Sequence, residues 1–231
     1  MITEAATRTT LDENAIALTR RYESCQSARD ATEAAGFAHQ LLDIICEQVK
    51  PGVTESEIKT FADACFNQHG VERIWHQPYI RFGKHTLLTY RDKAFDDYRL
   101  GDNDIAFIDI GIVKNGIEGD AGKTIVTGED PEHVRLANAS KAIFVQARHY
   151  WQKHQPTGAE LYNHIYSLAG AMDVVFNLDP AGHLIGEFPH RGWKNGLNNY
   201  PEKVIPGTWI LEIQICDTAR QHGAFYEDLL Y

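Results

Sequence analysis

Four acids and one histidine occupy positions where a charge is costly, and that cost points to the chemistry they could do. Ile105-Ala106-Phe107-Ile108-Asp109-Ile110-Gly111-Ile112 is an apolar run with one carboxylate in it, and Trp209-Ile210-Leu211-Glu212-Ile213-Gln214-Ile215 repeats the arrangement. An ionised acid withdrawn from water loses several kcal/mol of solvation, so each of these needs a cation or a proton beside it. Asp120 and Glu227 bring a second acid to each run. If Asn115-Gly116 forms a two-residue turn, paired residues have numbers summing to 231, and Asp120 faces Gly111, diagonal to Asp109 on the same strand face. A turn at Lys114-Asn115 would set the two acids directly opposite. Glu212 and Glu227 suit a hairpin closing around Ala219 and Arg220, again with both acids on one face.

Four carboxylates on one interior surface repel one another unless positive charge lies between them, and they form a cage suited to hard divalent cations. The competing reading pairs each acid with an arginine or lysine. Lys123 is the only obvious basic neighbour, so metal is the stronger expectation. Gly182-His183-Leu184-Ile185-Gly186 offers His183 as a nitrogen ligand, and His190 could donate to a developing oxyanion from outside the metal shell. His39, His69, His133, His149, His154, His164 and His222 have no comparable context and read as surface or packing residues.

The elements that must position these groups can be traced along the chain. Residues 11–50 are rich in Ala, Leu, Glu and Gln and read as helical, with a break near Gly36 or in the Ser24–Arg29 run. Pro51-Gly52 stops that helix, and Thr54 with Glu57 forms a capping box for one running to about His69. Arg73–Arg81, His85–Tyr90 and Ile105–Val113 read as strands, and Lys123–Val126 continues the returning arm of the Asn115-Gly116 hairpin. Asp130-Pro131-Glu132 opens a helix to about His154. A second box, Thr157 with Glu160, opens another towards Met172.

The chain then reads as a duplication. Thr54 and Thr157 lie 103 residues apart, as do Asp109 and Glu212, and Asp120 and Glu227 lie 107 apart. Each half runs from long helix to capped helix to acid-bearing hairpin, which predicts two halves around one curved sheet. The expected organisation is a helical segment over 1–49 packing on a catalytic domain over 50–231.

These residues together resemble the pita-bread metallopeptidase family, which includes methionine aminopeptidase, aminopeptidase P, prolidase and creatinase. The resemblance runs from Lys50-Pro51-Gly52-Val53-Thr54-Glu55 to the end. It rests on Phe107-Ile108-Asp109-Ile110-Gly111, Gly119-Asp120-Ala121-Gly122-Lys123-Thr124, Gly182-His183 with Gly186 and His190, Leu211-Glu212 and Glu227-Asp228. It implies an α+β fold of two pseudo-symmetric helix-helix-hairpin halves around a curved antiparallel sheet, in a short form without the separate N-terminal domain of prolidases. It also implies that Asp109 chelates one metal, that Asp120 and Glu227 bridge two, and that His183 and Glu212 complete the second. The chain departs from the family at Leu88-Thr89-Tyr90, where Thr89 stands in place of a histidine, and at Arg191, where an acid often follows. His85 and Thr89 are the candidates for contacting substrate there.

The expected activity is hydrolysis of a peptide bond at an N-terminus or before proline, using two divalent ions (Mn, Co or Fe, with Zn also compatible). Glu212 is the proton shuttle and His190 the polarising group. The alternatives are a creatinase-like hydrolase of a small non-peptide C–N substrate and a binding protein that keeps the fold without chemistry. An iron oxygenase lacks its two-histidine, one-carboxylate set. A net charge of −10 argues against nucleic acid or an anionic membrane as partner. The scattered Cys25, Cys46, Cys65 and Cys216, with no visible signal peptide, fit a cytoplasmic setting. The N-terminal helical stretch could serve as the arm of a homodimer or pack over its own sheet.

Overall fold

The computed structural model describes residues 12–20 and 25–231. After a helical stretch over residues 12–19, the helices α1 (Cys25–Cys46) and α2 (Glu55–Gln68) precede the sheet. Strands β1 (Arg73–Phe82), β2 (Asp104–Lys114) and β3 (Ile117–Thr127) follow, then helices α3 (Pro131–His154) and α4 (Gly158–Ala171), then strands β4 (Val175–Asn177), β5 (Ile210–Cys216) and β6 (Gly223–Leu229). All six strands join one antiparallel sheet in the order β1-β2-β3-β6-β5-β4. The order therefore reads outward from a central seam between β3 and β6, with one hairpin on each side.

Both expected capping boxes are present. Thr54 accepts from the Glu57 amide while the Glu57 carboxylate accepts from the Thr54 amide, and Thr157 and Glu160 do the same for α4. Asp130 caps α3, with Pro131 at its first position where no amide is needed. Both predicted hairpin registers also hold. Gly111 pairs with Asp120 around Asn115-Gly116, both at positive φ, and Glu212 pairs with Glu227.

Alternation along the strands sorts the sheet into two faces. Ile108, Ile110 and Ile112 of β2 pack beneath Leu41, Leu42, Ile45 and Phe66 from α1 and α2. Leu211, Ile213 and Ile215 of β5 pack with Leu136, Ile143, Phe144 and Leu161 from α3 and α4. The opposite face carries the acids.

Two expectations are corrected. His85–Tyr90 is not a strand: the chain turns at Gly83 (φ 52°) into a 3₁₀ turn over Gly83–Leu87, closed by the Thr86 hydroxyl donating to the Gly83 carbonyl. Its alternating residues mimic a strand, but no neighbouring strand pairs with them. Gly36 does not break the first helix either. The buried stripe Ala31, Ala34, Ala35, Ala38, Leu41, Leu42 and Ile45 continues past it, and Gly36 lies on the exposed side, where its lack of a side chain costs only helix propensity. The other expected break, Ser24–Arg29, falls partly outside the described residues; α1 is continuous through Arg29.

Candidate metal centre

Strand pairing lays the acids out in rows across the sheet. Asp109 pairs with Gly122, Gly122 with Glu227 across the seam, and Glu227 with Glu212. One row thus carries three acids over four strands, and the position between Asp109 and Glu227 is a glycine. A Cβ on Gly122 would fall 2.8 Å from Glu227 Oε1 and 2.5 Å from the Phe225 ring, so only glycine leaves that space open. The next row along is His76, Gly111 and Asp120. Here too the middle residue is glycine, and the His76 ring lies where its Cβ would be, 2.1 Å from Cδ2.

His76 therefore reaches over Gly111 to the acids, with Nε2 3.3 Å from Asp109 Oδ1 and 3.4 Å from Asp120 Oδ1. His183 approaches from the other side, its Nε2 3.1 Å from Asp120 Oδ2 and 3.9 Å from Glu212 Oε1. It is held there by the loop before β5, which exchanges two backbone hydrogen bonds between His183 and Ile210. His76, Asp109 and Asp120 form one group of donor atoms close enough to share a cation, and Asp120, His183 and Glu227 form a second. The five residues expected from the sequence are thus brought together, and His76 joins them.

Nothing near His76 marks it in the sequence. It stands in the Arg73–Arg81 run, where irregularities in the β1–β2 register on both sides of it re-aim the strand. Such bulges defeat the simple pairing arithmetic that located Asp120. The one available signal was Gly111, a glycine inside an apolar strand, which marks a close approach by something else.

The electrostatics are those of an acid cluster short of cations. Burial raises Glu227 well above the usual carboxylate range, and Asp109, Asp120 and Glu212 push it the same way. Burial, partly offset by His183, takes Glu212 up to about 8, and it takes Asp109 up to about 6 against the pull of His76. Asp120 goes the other way. Burial opposes its ionisation, but His76 and His183 hold it down to about 2. Burial likewise opposes a charge on the two rings, yet the acids lift His76 to about 10 and His183 to about 9. Even so, Asp109 Oδ1 and Glu227 Oε1 are buried without a hydrogen-bond partner. Carboxylate oxygens buried without a hydrogen bond fit a bound cation, which would take the place of the proton that burial otherwise forces on Glu227.

The centre lies in a cleft of about 970 Å³, whose walls include Tyr79, Arg81, Thr89, Tyr90, Trp193 and Asn195. Of the two candidates for contacting substrate, Thr89 lines this cleft, with its hydroxyl and amide donating to Asp92. His85 does not: it is fully buried beneath the 3₁₀ turn, with Nδ1 3.0 Å from Glu55 and Nε2 2.9 Å from Asp96. A side chain sealed in that way ties α2 to the turn and cannot touch a substrate. His190 has its Nδ1 2.6 Å from Glu118 Oε2, and the same carboxylate accepts from the Gly186 amide. It fastens the loop that carries His183.

The sequence pattern of metallopeptidase family M24 matches residues 28–231. The chain belongs to this family. Members of the metallopeptidase family resemble it in sequence over part of its length. A methionine aminopeptidase from Clostridium perfringens is 28% identical over 104 residues, 43% of this chain and 41% of that protein. An uncharacterized peptidase from Staphylococcus aureus is 28% identical over 97 residues, 42% of this chain and 27% of that one. The matches thus span less than half the length of these curated relatives. In structure the chain is similar to prolidase from Pyrococcus furiosus, with a TM-score of 0.74 and 18% identity, over 90% of this chain and 61% of that one. It is also similar to methionine aminopeptidase from Thermotoga maritima, with a TM-score of 0.70 and 15% identity, over 88% and 92% respectively. These neighbours establish the pita-bread fold: mixed helix and antiparallel sheet, as the sequence implied. No helix among the described residues is long and apolar enough to cross a membrane.

Proposed function

We propose that this chain is a hydrolase of peptide or related amide bonds that works with two divalent cations held by Asp109, Asp120, His183, Glu212 and Glu227. The observation that carries this reading is the pair of buried carboxylate oxygens on Asp109 and Glu227 that accept no hydrogen bond, on strands flanking and crossing the sheet seam in the lining of an open cleft. Membership in a metallopeptidase family and the likeness to prolidase and methionine aminopeptidase support it. Asp109 would hold one ion, His183 and Glu212 would hold the other, and Asp120 and Glu227 would be shared. Oxygen-rich donors favour Mn, Co or Fe, with Zn compatible.

Bound there, such ions would lower the pKa of a shared water towards neutrality and polarise the substrate carbonyl. The chain's own residues do the rest. Glu212, beside His183 at the end of the donor row, is the carboxylate placed to take a proton from the attacking water and pass it to the leaving nitrogen. Asp120 stays ionised and keeps the two histidines in place. Tyr79, Trp193 and Phe225 give the cleft apolar walls, and Arg91, paired with Asp179, and Lys194 also line it.

Thr89 on the cleft wall, where relatives carry a histidine, favours a second reading: a creatinase-like hydrolase of a small C–N substrate. A panel of N-terminal peptides, X-Pro dipeptides and small amides, assayed with Mn²⁺ and Co²⁺, separates the two. Turnover of peptides that is lost on chelation, restored by metal and absent in Asp120→Ala is the expected result. An Asp120→Ala variant with full activity after chelation and metal readdition would sink the assignment. A folded protein that takes up no metal would favour a non-catalytic binding role.

A further inference from the structure

The two histidines of the centre are built alike. His76 Nδ1 donates to the carbonyl of Gln77, the next residue, at 2.9 Å, and His183 Nδ1 donates to the carbonyl of Leu184, its next residue, at 3.0 Å. A backbone carbonyl can only accept, so each ring has its Nδ1 proton fixed and turns Nε2 towards the acids. The two Nε2 atoms then divide Asp120 between them, His76 facing Oδ1 and His183 facing Oδ2. Trp75 packs edge-on against both rings, 4.6 and 5.1 Å between centroids, and holds the pair in register. Gly111, lacking a Cβ, leaves the room this arrangement needs.

We propose that His76 is a sixth protein ligand of the centre, giving each of the two cations one imidazole. Resting on the dinuclear reading above, this assigns His76 with Asp109 to one ion and His183 with Glu212 to the other, Asp120 lending one oxygen to each. The orphaned Oδ1 of Asp109 is the oxygen nearest His76 Nε2, and a shared cation accounts for both. A carboxylate and an imidazole 3.3 Å apart without an aligned hydrogen bond are placed as two donors to a third body are placed.

The alternative is that His76 is a permanent internal cation that only offsets the acids, and the two roles move metal affinity in opposite directions. Removing a ligand weakens binding at one site, whereas removing a resident positive charge strengthens binding at both. Metal-free wild type, His76→Gln, His76→Ala and His183→Gln are titrated with Co²⁺ by calorimetry, with folding of each checked by circular dichroism. The expected result is two ions in wild type. In His76→Gln, binding should weaken by about tenfold or more at one site only, with the other unchanged, in line with what loss of an imidazole near a metal costs. In the Co²⁺-loaded wild type, proton NMR should show two hyperfine-shifted exchangeable imidazole N–H signals, one lost in each histidine variant. A single such signal in wild type, or unchanged or tighter binding in His76→Gln, would overturn the proposal while leaving the five-ligand centre intact. Wild type that binds no Co²⁺ would overturn both together.

Discussion

A single buried proton count governs the centre. Without metal, Glu212, Glu227, His76 and His183 all bind protons more tightly in the folded protein than in the unfolded chain. Stability follows the difference in bound protons, so these groups make the metal-free fold less stable as pH rises. For Glu212 the loss runs from its unfolded value near 4.5 to about 8, and for His76 from 6.5 to about 10. Metal-free protein melted at pH 6 and at pH 9 should therefore show the lower midpoint at pH 9, and saturating Mn²⁺ should remove most of that gap. Metal entry must also expel those protons, so affinity should rise with pH over the same window, visible in calorimetry as a buffer-dependent heat. A midpoint that climbs from pH 6 to pH 9 without metal would contradict the assignment. Gly111 gives a second test at this scale. Gly111→Ala sets a Cβ 2.1 Å from the His76 ring and 2.5 Å from Trp75 Nε1, an overpacking expected to cost about 1–3 kcal/mol in chemical denaturation.

Among the elements, the hairpins were the most legible. Asn115-Gly116 fixes one register and the matched acids suggest the other, and both stand in the structure residue for residue. Capping boxes were equally plain, because the two reciprocal bonds are local and need nothing from the rest of the fold. Thr54→Ala should cost about 1 kcal/mol by urea denaturation, and Thr157→Ala a similar amount. A loss below a few tenths would mean those helices are held by packing alone. Legibility failed where long-range contacts decide. His85 looked like a strand residue facing substrate, but Glu55 and Asp96 bury it from both sides. His76 was hidden by irregular pairing. The contact of His190 with Glu118, a residue of the first hairpin, crosses 72 positions of sequence and has no local signal.

For the molecule as a whole, the sheet order sets the donors out in two groups. His76, Asp109 and Asp120 come from strands on one side of the seam; Glu212 and Glu227 from strands on the other, with His183 in a loop on that side. Cations held between them bind the folded state alone, so chelation should lower the melting temperature and readdition restore it. The stabilisation is about 2.7 kcal/mol at free metal 100-fold above Kd. A melting temperature indifferent to chelator and metal would count against any ion in the centre.

Within the sheet the seam is short. β3 and β6 pair at Gly122–Glu227 and Lys123–Tyr226, reinforced by Thr124 exchanging hydrogen bonds with the backbone of Phe225, and outside the ladder Glu118 bonds the Gly186–His190 loop and Thr86 bonds Gly223. Ions seated there would act as rivets between two leaves whose own ladders are longer. Prising the leaves apart by a few ångströms would scatter the donors while leaving every other ladder whole. In rising urea, hydrolysis and bound metal should therefore vanish before the circular dichroism of the helices changes, so that the protein is disarmed well before it comes undone.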